Sequence, residues 1–235
     1  MKFDKNLFLL LIFCNLCISQ KMDLEILHGI KNPDLVGDTI RLEKNTFQAF
    51  KKMRNAAKKD GIDLKIVSSY RSYERQKLIW NNKFIKYTQE FKLDPKEAID
   101  EIIRFSTIPG TSRHHWGTEI DIIDGKFSDE KNVLISEKFM KGGIFFNIKK
   151  WLDKNSEKFG FYITYDDDPN RKGFEYEPWH FSYYPISKKM LSLFLKSDLK
   201  KIIKTDEIKG SEYFTDEFIE MYKKEYLLDI NKVLK

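Results

Sequence analysis

The chain has 235 residues, 41% hydrophobic and 33% charged, which suits one soluble globular domain with its own core and room for a small appendage. Its formal net charge is +6, but acidic residues are interleaved with basic ones along almost the whole length. The concentrated basic stripe of a nucleic-acid binder is missing, so no nucleic-acid partner is expected; a mildly basic surface suits at most an anionic polymer.

The first twenty residues stand apart. Lys2 and Lys5 form a charged start, and residues 7–18 are then almost wholly apolar. That run is too short for a membrane span, which needs roughly 20 apolar residues, and it matches the apolar region of a secretory signal. Cys17 and Ser19 are small residues at the −3 and −1 positions of a cut before Gln20. Residues 1–19 are therefore read as the signal peptide of an exported protein, periplasmic or envelope-associated, with no stable membrane span after cleavage. Lipidation at Cys17 is the weaker alternative, because Leu16 stands where lipoprotein signals have a small residue. Cys14 and Cys17 both lie in this segment, so any metal site must be built from His, Asp and Glu.

Residues 20–39 read as an extended lead-in. Leu42, Phe47, Phe50, Met53 and Ala57 recur near helical spacing, predicting a helix over 42–59 that stops at Gly61. Alternation with β-branched residues predicts a strand over 62–69. Ser72 is placed as an N-cap, with Glu74 in the first turn, for a helix to about 91; Pro95 opens another to about 105. The Pro- and Gly-containing segment 108–117 is a loop, 118–123 a strand, 144–159 a helix stopped near Gly160, and 161–165 a strand. After a polar loop over 166–172, the aromatic stretch 174–184 is read as a strand. Residues 186–235 look helical and charged, a C-terminal extension to a domain over 20–185. Strands and helices do not alternate regularly, so the fold class is α+β. No heptad run argues for a coiled coil, and a monomer is expected.

Beyond the signal segment the chain has four histidines, His28, His114, His115 and His180, and three of them sit in two compact motifs. The first is Ser112-Arg-His-His-Trp-Gly-Thr-Glu-Ile-Asp121; the second is Glu177-Pro-Trp-His180. A hydrolytic zinc takes three protein ligands and leaves one position open for water. His114, Asp121 and His180 supply two imidazoles and a carboxylate, a set that also suits iron or manganese. A base must take the proton of the attacking water, and Glu177 is the best-placed carboxylate. In a regular strand residues 177 and 180 would face opposite ways; Pro178 breaks that regularity. His28 is read as structural. His115 would point away from His114 on an extended backbone, with a contact to substrate or metal left open. Trp116 and Trp179 are read as walls and packing.

These residues carry a family resemblance. Ser112-x-His114-x-x-Gly117-x-x-x-Asp121, then Glu177-Pro-Trp-His180, resembles the zinc D-Ala-D-Ala carboxypeptidases related to VanY, and Ser69-Tyr-Arg-Ser-x-x-x-Gln76 resembles a third stretch of that family. Order and spacing agree over roughly residues 40–185. The resemblance implies a small, mostly antiparallel sheet with flanking helices, shared with the hedgehog signalling domain. It implies one Zn2+ held by His114, Asp121 and His180, with Glu177 as general base and Arg71 stabilising the polarised carbonyl. It implies that Ser112 and Gln76 line the site and hold the substrate's terminal residue, and that the substrates are peptidoglycan stem peptides. Two departures stand out: Ser69-Tyr70 lacks a glycine common in the motif, and Glu119 stands where a small residue is frequent. Glu119 shares a strand face with Asp121, so it either orients a ligand histidine or narrows the pocket. The expected reaction is removal of the terminal D-Ala. The alternatives are cleavage of the L,D bond left after it, cleavage of an internal L-Ala-D-Glu bond, a catalytically silent zinc-containing wall binder, or an exported structural protein with incidental histidines.

Overall fold

Period-two burial organises the centre of the molecule. The structure, a computed structural model, describes residues 24–235, so the signal-peptide reading and both cysteines lie outside the described residues. Its strands are β1 (Leu35–Val36), β2 (Leu42–Glu43), β3 (Leu64–Ser68), β4 (Glu119–Asp124), β5 (Phe161–Ile163) and β6 (His180–Tyr183). The first two form a small antiparallel ladder; the other four form an antiparallel sheet in the order β3-β4-β6-β5. Leu64, Ile66, Ile120, Ile122 and Phe181 alternate onto one face. There they pack against Phe50, Met53 and Ala57 of α1 (Lys44–Lys59) and against Ile148 and Leu152 of α4 (Phe146–Asn155). The intervening positions Glu119, Asp121, His180 and Ser182 are left for the opposite side.

A second apolar cluster joins α2 (Tyr73–Ile85) and α3 (Pro95–Ile103) to the last fifty residues. Those residues form α5 (Tyr184–Phe194), α6 (Leu199–Ile203), α7 (Asp216–Tyr222) and short π and 3-10 turns up to Leu234. Trp80, Ile99 and Ile103 pack in one cluster with Leu191, Phe194, Ile203, Ile219, Tyr222 and Leu234. Each such side chain, fully buried, contributes about 1.5–3 kcal/mol of transfer free energy, so the helical C-terminal residues share a core with the helices that connect β3 to β4.

Several boundaries move for identifiable reasons. The first helix begins at Lys44 rather than 42, because Leu42 is used in β2 and the Glu43 carboxylate caps the helix, accepting from Thr46 N at 2.9 Å. Ser72 caps α2 as expected, and the remainder of that predicted helix is a π turn over Lys86–Glu90. Gly160, at φ +82°, ends the 3-10 turn that follows α4, a left-handed position that favours glycine. The lead-in contains a helical turn at 24–27 as well as β1. The strand expected over 174–184 survives only at 180–183. Pro178 has no N–H to give, and the N–H groups of Glu175 and Glu177 donate to Arg104 O and Tyr165 O instead of to a ladder.

Candidate metal centre

Strand register brings the motifs together. Asp121 in β4 is the cross-strand partner of His180 in β6 and, beyond a β-bulge, of Ser68 in β3. His114 arrives from a 3-10 turn, Arg113–Trp116, capped by Ser112, whose Oγ accepts from His114 N at 3.3 Å. Gly117 closes that turn at φ +71°, a left-handed position that favours glycine, with the Leu35 side chain 2.8 Å and Glu43 N 3.0 Å from where a Cβ would sit. The turn also explains His115, which is not on extended backbone. It is fully buried and donates from Nδ1 to Arg71 O at 2.6 Å, touching neither the metal-ligand set nor the cleft. His28 is buried as well, its Nδ1 donating to Gly110 O at 2.7 Å.

The donor atoms converge. His114 donates from Nδ1 to Ser69 O at 2.7 Å, which leaves Nε2 at 3.5 Å from Asp121 Oδ2. His180 is held through Nε2 by Glu119 Oε2 at 3.0 Å, which leaves Nδ1 at 3.5 Å from Asp121 Oδ1 and 2.9 Å from Glu177 Oε2. One atom from each of His114, Asp121 and His180 lies within 4.8 Å of the others. Tetrahedral zinc with bonds of about 2.0–2.2 Å has ligand atoms about 3.4 Å apart; His114 Nε2 and His180 Nδ1 each lie 3.5 Å from an Asp121 oxygen, the first from Oδ2 and the second from Oδ1, so a carboxylate between two imidazoles approaches that spacing. Asp121 Oδ1 is buried with no hydrogen-bond partner, as an oxygen reserved for a cation is expected to be. The residues present therefore fit a zinc ion.

Electrostatics agree. Burial pushes the Asp121 carboxyl up to about 6, with Glu177 adding to the shift. Burial also depresses His114 well below its usual range, which keeps its imidazole neutral and able to coordinate. At His180 burial acts downward, but hydrogen bonds to Glu119 and Glu177 overcome it and raise the ring to about 10. Three carboxylates thus surround one imidazole and attract positive charge, which a divalent cation satisfies in exchange for the proton at Nδ1.

Glu119 is fully buried and accepts from Arg113, Thr118, Thr164 and Ser182 as well as from His180. Of its two expected roles, the geometry supports orienting the ligand histidine; Glu119 is not among the cleft-lining residues. Arg71 reaches the cleft beside Asp121 and Glu177, donating to Gln76 Oε1 at 2.7 Å and Ser68 Oγ at 3.2 Å. Gln76 departs from expectation: it is fully buried behind Arg71, and its amide nitrogen donates to Thr107 O at 2.7 Å. Both its polar ends are engaged inside the protein, so it braces Arg71 rather than lining the cleft. The cleft has a volume of about 380 Å³ and is lined by Arg71, Ser112, Glu177, the three metal-ligand candidates, Trp179 and a wall containing Lys83, Ser106 and Thr107. Trp116, by contrast, is core, and its indole N–H donates to Leu27 O. The Arg113–Glu119–Ser182 network and Lys83 were not foreseen from the sequence. Each depends on contacts between distant segments, and neither residue type is unusual in a chain this rich in Lys, Arg and Glu.

Comparison with known proteins agrees with this architecture. Residues 39–186 match the family described as VanY: D-alanyl-D-alanine carboxypeptidase. The Bacillus subtilis (strain 168) protein YodJ is 33% identical over 177 residues, covering 74% of this chain and 53% of YodJ. A D-alanyl-D-alanine carboxypeptidase of Enterococcus faecalis is 32% identical over 134 residues, covering 56% of this chain and 44% of that protein. The chain thus spans about half the length of these curated relatives. Among solved structures, the LD-carboxypeptidase LdcB superposes with a TM-score of 0.52 at 30% identity, covering 79% of each chain. VanYB in complex with D-alanine-D-alanine superposes at 0.54 with 24% identity, over 75% of this chain and 91% of that one, a likeness of fold. With the family match covering well over half its length, the chain belongs to the VanY family of D-alanyl-D-alanine carboxypeptidases.

Proposed function

We propose that this protein is an exported zinc-dependent carboxypeptidase that removes the terminal D-Ala from peptidoglycan stem peptides. The observation that carries the reading is the meeting of His114, Asp121 and His180 in a cleft with Glu177 and Arg71 beside them. His114, Asp121 and His180 would hold the ion, which when bound lowers the pKa of water to about 7 and polarises a carbonyl. Glu177, within hydrogen-bond reach of His180 Nδ1, accepts the proton of the attacking water at a carboxylate oxygen and delivers it to the leaving amine. The Arg71 guanidinium, fixed by Gln76 and Ser68, stabilises the developing oxyanion without any proton transfer. Ser112 lines the same cleft and meets the terminal residue of the substrate.

The likeness to LdcB at 30% identity favours a second reading, cleavage of the L,D bond that remains after the first D-Ala is lost. One experiment separates the two: mass spectrometry of pentapeptide- and tetrapeptide-stem muropeptides after incubation with zinc-loaded protein, with and without a chelator. Loss of one alanine from the pentapeptide, abolished by the chelator, is the expected result. Loss from the tetrapeptide alone establishes the second reading, and no loss from either overturns both.

A further inference from the structure

Acidic and basic residues alternate along most of the chain, and α1 is the exception. It carries Lys44, Lys51, Lys52, Arg54, Lys58 and Lys59 and no carboxylate. Among the described residues no other α-helix has more than three Lys or Arg. All six side chains are exposed, and among them only Arg54 makes an ion pair, a long one of 3.7 Å to Asp63. Lys149 and Lys200, on other helices, each hold a carboxylate at 2.6 Å. The Asp60 carboxylate at the end of α1 is engaged by the Trp151 indole N–H at 2.8 Å. Lys58 and Lys59 stand in the last turn, where they complement the helix dipole. The other four have no such role, and Arg54 lies three residues from Lys51 and four from Lys58, spacings at which like charges repel. The fold thus keeps a repulsion that nothing within it offsets.

The cations run along the helix in rows. Lys44, Lys51 and Lys58 recur every two turns, about 10 Å apart, and form a crest. Lys52 and Lys59 flank it on one side and Arg54 on the other, with Lys126 facing Arg54 across a groove of about 810 Å³. A linear anion lying in that groove would meet Lys51, Arg54, Lys58 and Lys126 but not Lys44, Lys52 or Lys59, which are not among its lining residues. A flat anionic surface meets the crest and both flanks together. Phe127, exposed beside Lys126, is an aromatic of the kind that rests among lipid headgroups. The helix itself stays outside the bilayer, because Phe50, Met53 and Ala57 are buried against the sheet, and no described helix is long and apolar enough to cross a membrane.

We propose that the exposed face of α1 seats the protein on an anionic phospholipid surface, held by charge at the headgroups. α1 covers the sheet face opposite to Asp121 and His180, so the seated protein turns its cleft toward the aqueous side. The seating depends on charge and fold alone, not on peptidase activity.

The test is co-sedimentation with vesicles of phosphatidylcholine containing about one-third phosphatidylglycerol. The protein begins at Gln20, so that the apolar run 7–18 cannot contribute. It should sediment with these vesicles, stay in solution with pure phosphatidylcholine, and be released by about 0.5 M salt. A variant combining Lys51→Gln, Lys52→Gln, Lys58→Gln and Lys59→Gln should lose about 10²–10³-fold in partition coefficient, the loss expected of four cations near the headgroups. A second variant makes the same change of net charge at exposed lysines elsewhere, Lys189→Gln, Lys196→Gln, Lys204→Gln and Lys224→Gln, and should keep most of the binding. Circular dichroism should show both variants folded. Equal binding to neutral vesicles, undiminished binding of the α1 variant, or an equal loss in both variants overturns the proposal. So does binding to inorganic polyphosphate or duplex DNA with no binding to the anionic vesicles.

Discussion

Asp121 and Glu177 both approach the same nitrogen of His180, yet their removal should have different consequences. Asp121→Ala deletes one of three ligand atoms, so stoichiometric zinc should be lost on dialysis, read by elemental analysis. Glu177→Ala leaves the ligand set intact and should retain zinc while turnover falls by about 10²–10⁴-fold; equal metal loss in both variants would sink the role assignment. Glu119→Gln keeps the shape of a carboxylate that His180, Arg113, Ser182 and two threonines all contact. Zinc affinity, measured by chelator competition, should fall about 10–100-fold, as expected when the group orienting a ligand histidine is changed. Stability to denaturant should fall by about 3–5 kcal/mol, because the buried Arg113 loses its charged partner. Unchanged affinity would mean that Glu119 serves only Arg113. The ligands were legible in the sequence because two short motifs carry nearly all the histidines, whereas the site for Gln76 depended on where Thr107 and Arg71 run in space, which spacing does not encode.

At the level of elements, the loop carrying Ser112 is held from far along the chain. Ile108 N–H donates to the Tyr222 hydroxyl oxygen at 3.0 Å, and the Thr111 hydroxyl donates to Ile108 O at 2.7 Å. The Tyr222 hydroxyl is left to donate to Thr111 Oγ1 at 3.0 Å, so all three groups are satisfied in one buried set. Tyr222→Phe strands the Ile108 N–H and should cost about 1–3 kcal/mol in urea unfolding. Zinc should be retained, because no ligand is touched, while kcat/KM falls as the Ser112 loop loosens. Wild-type stability in that variant would show that the clasp contributes nothing. Helices with a clear apolar period and caps were legible to within a few residues. The short β6 was not, because the aromatic stretch before it looks like a strand, and only the partners of Glu175 and Glu177, Arg104 and Tyr165, reveal a turn.

For the whole molecule, two buried histidines outside the metal-ligand set contribute to the response to acid. Burial lowers the pKa of His28 and pushes His115 down to about 3, while in the unfolded chain both titrate near the ordinary value of 6.5. The folded state holds them neutral, so below about pH 6.5 only the unfolded state takes up their protons. Stability is therefore complete above that pH and declines as pH falls toward the folded values, by up to about 1.4 kcal/mol per pH unit for each histidine. Urea midpoints of the zinc-loaded protein should be level between pH 7 and 8 and drop between 6.5 and 5, with a shallower drop in His28→Gln; a flat profile would show that other groups offset the two rings. The α+β class was legible from composition and irregular alternation, but the shared core was not: nothing in residues 186–235 signals that they pack against Trp80 and the Ser112 loop. That distance along the chain also has a temporal meaning. Tyr222 is synthesised 114 residues after Ile108, so a nascent chain already carrying every ligand of the metal centre still lacks the hydroxyl that fastens the Ser112 loop. The clasp on the Ser112 loop is therefore completed only once α7, the last of the α-helices, has been made.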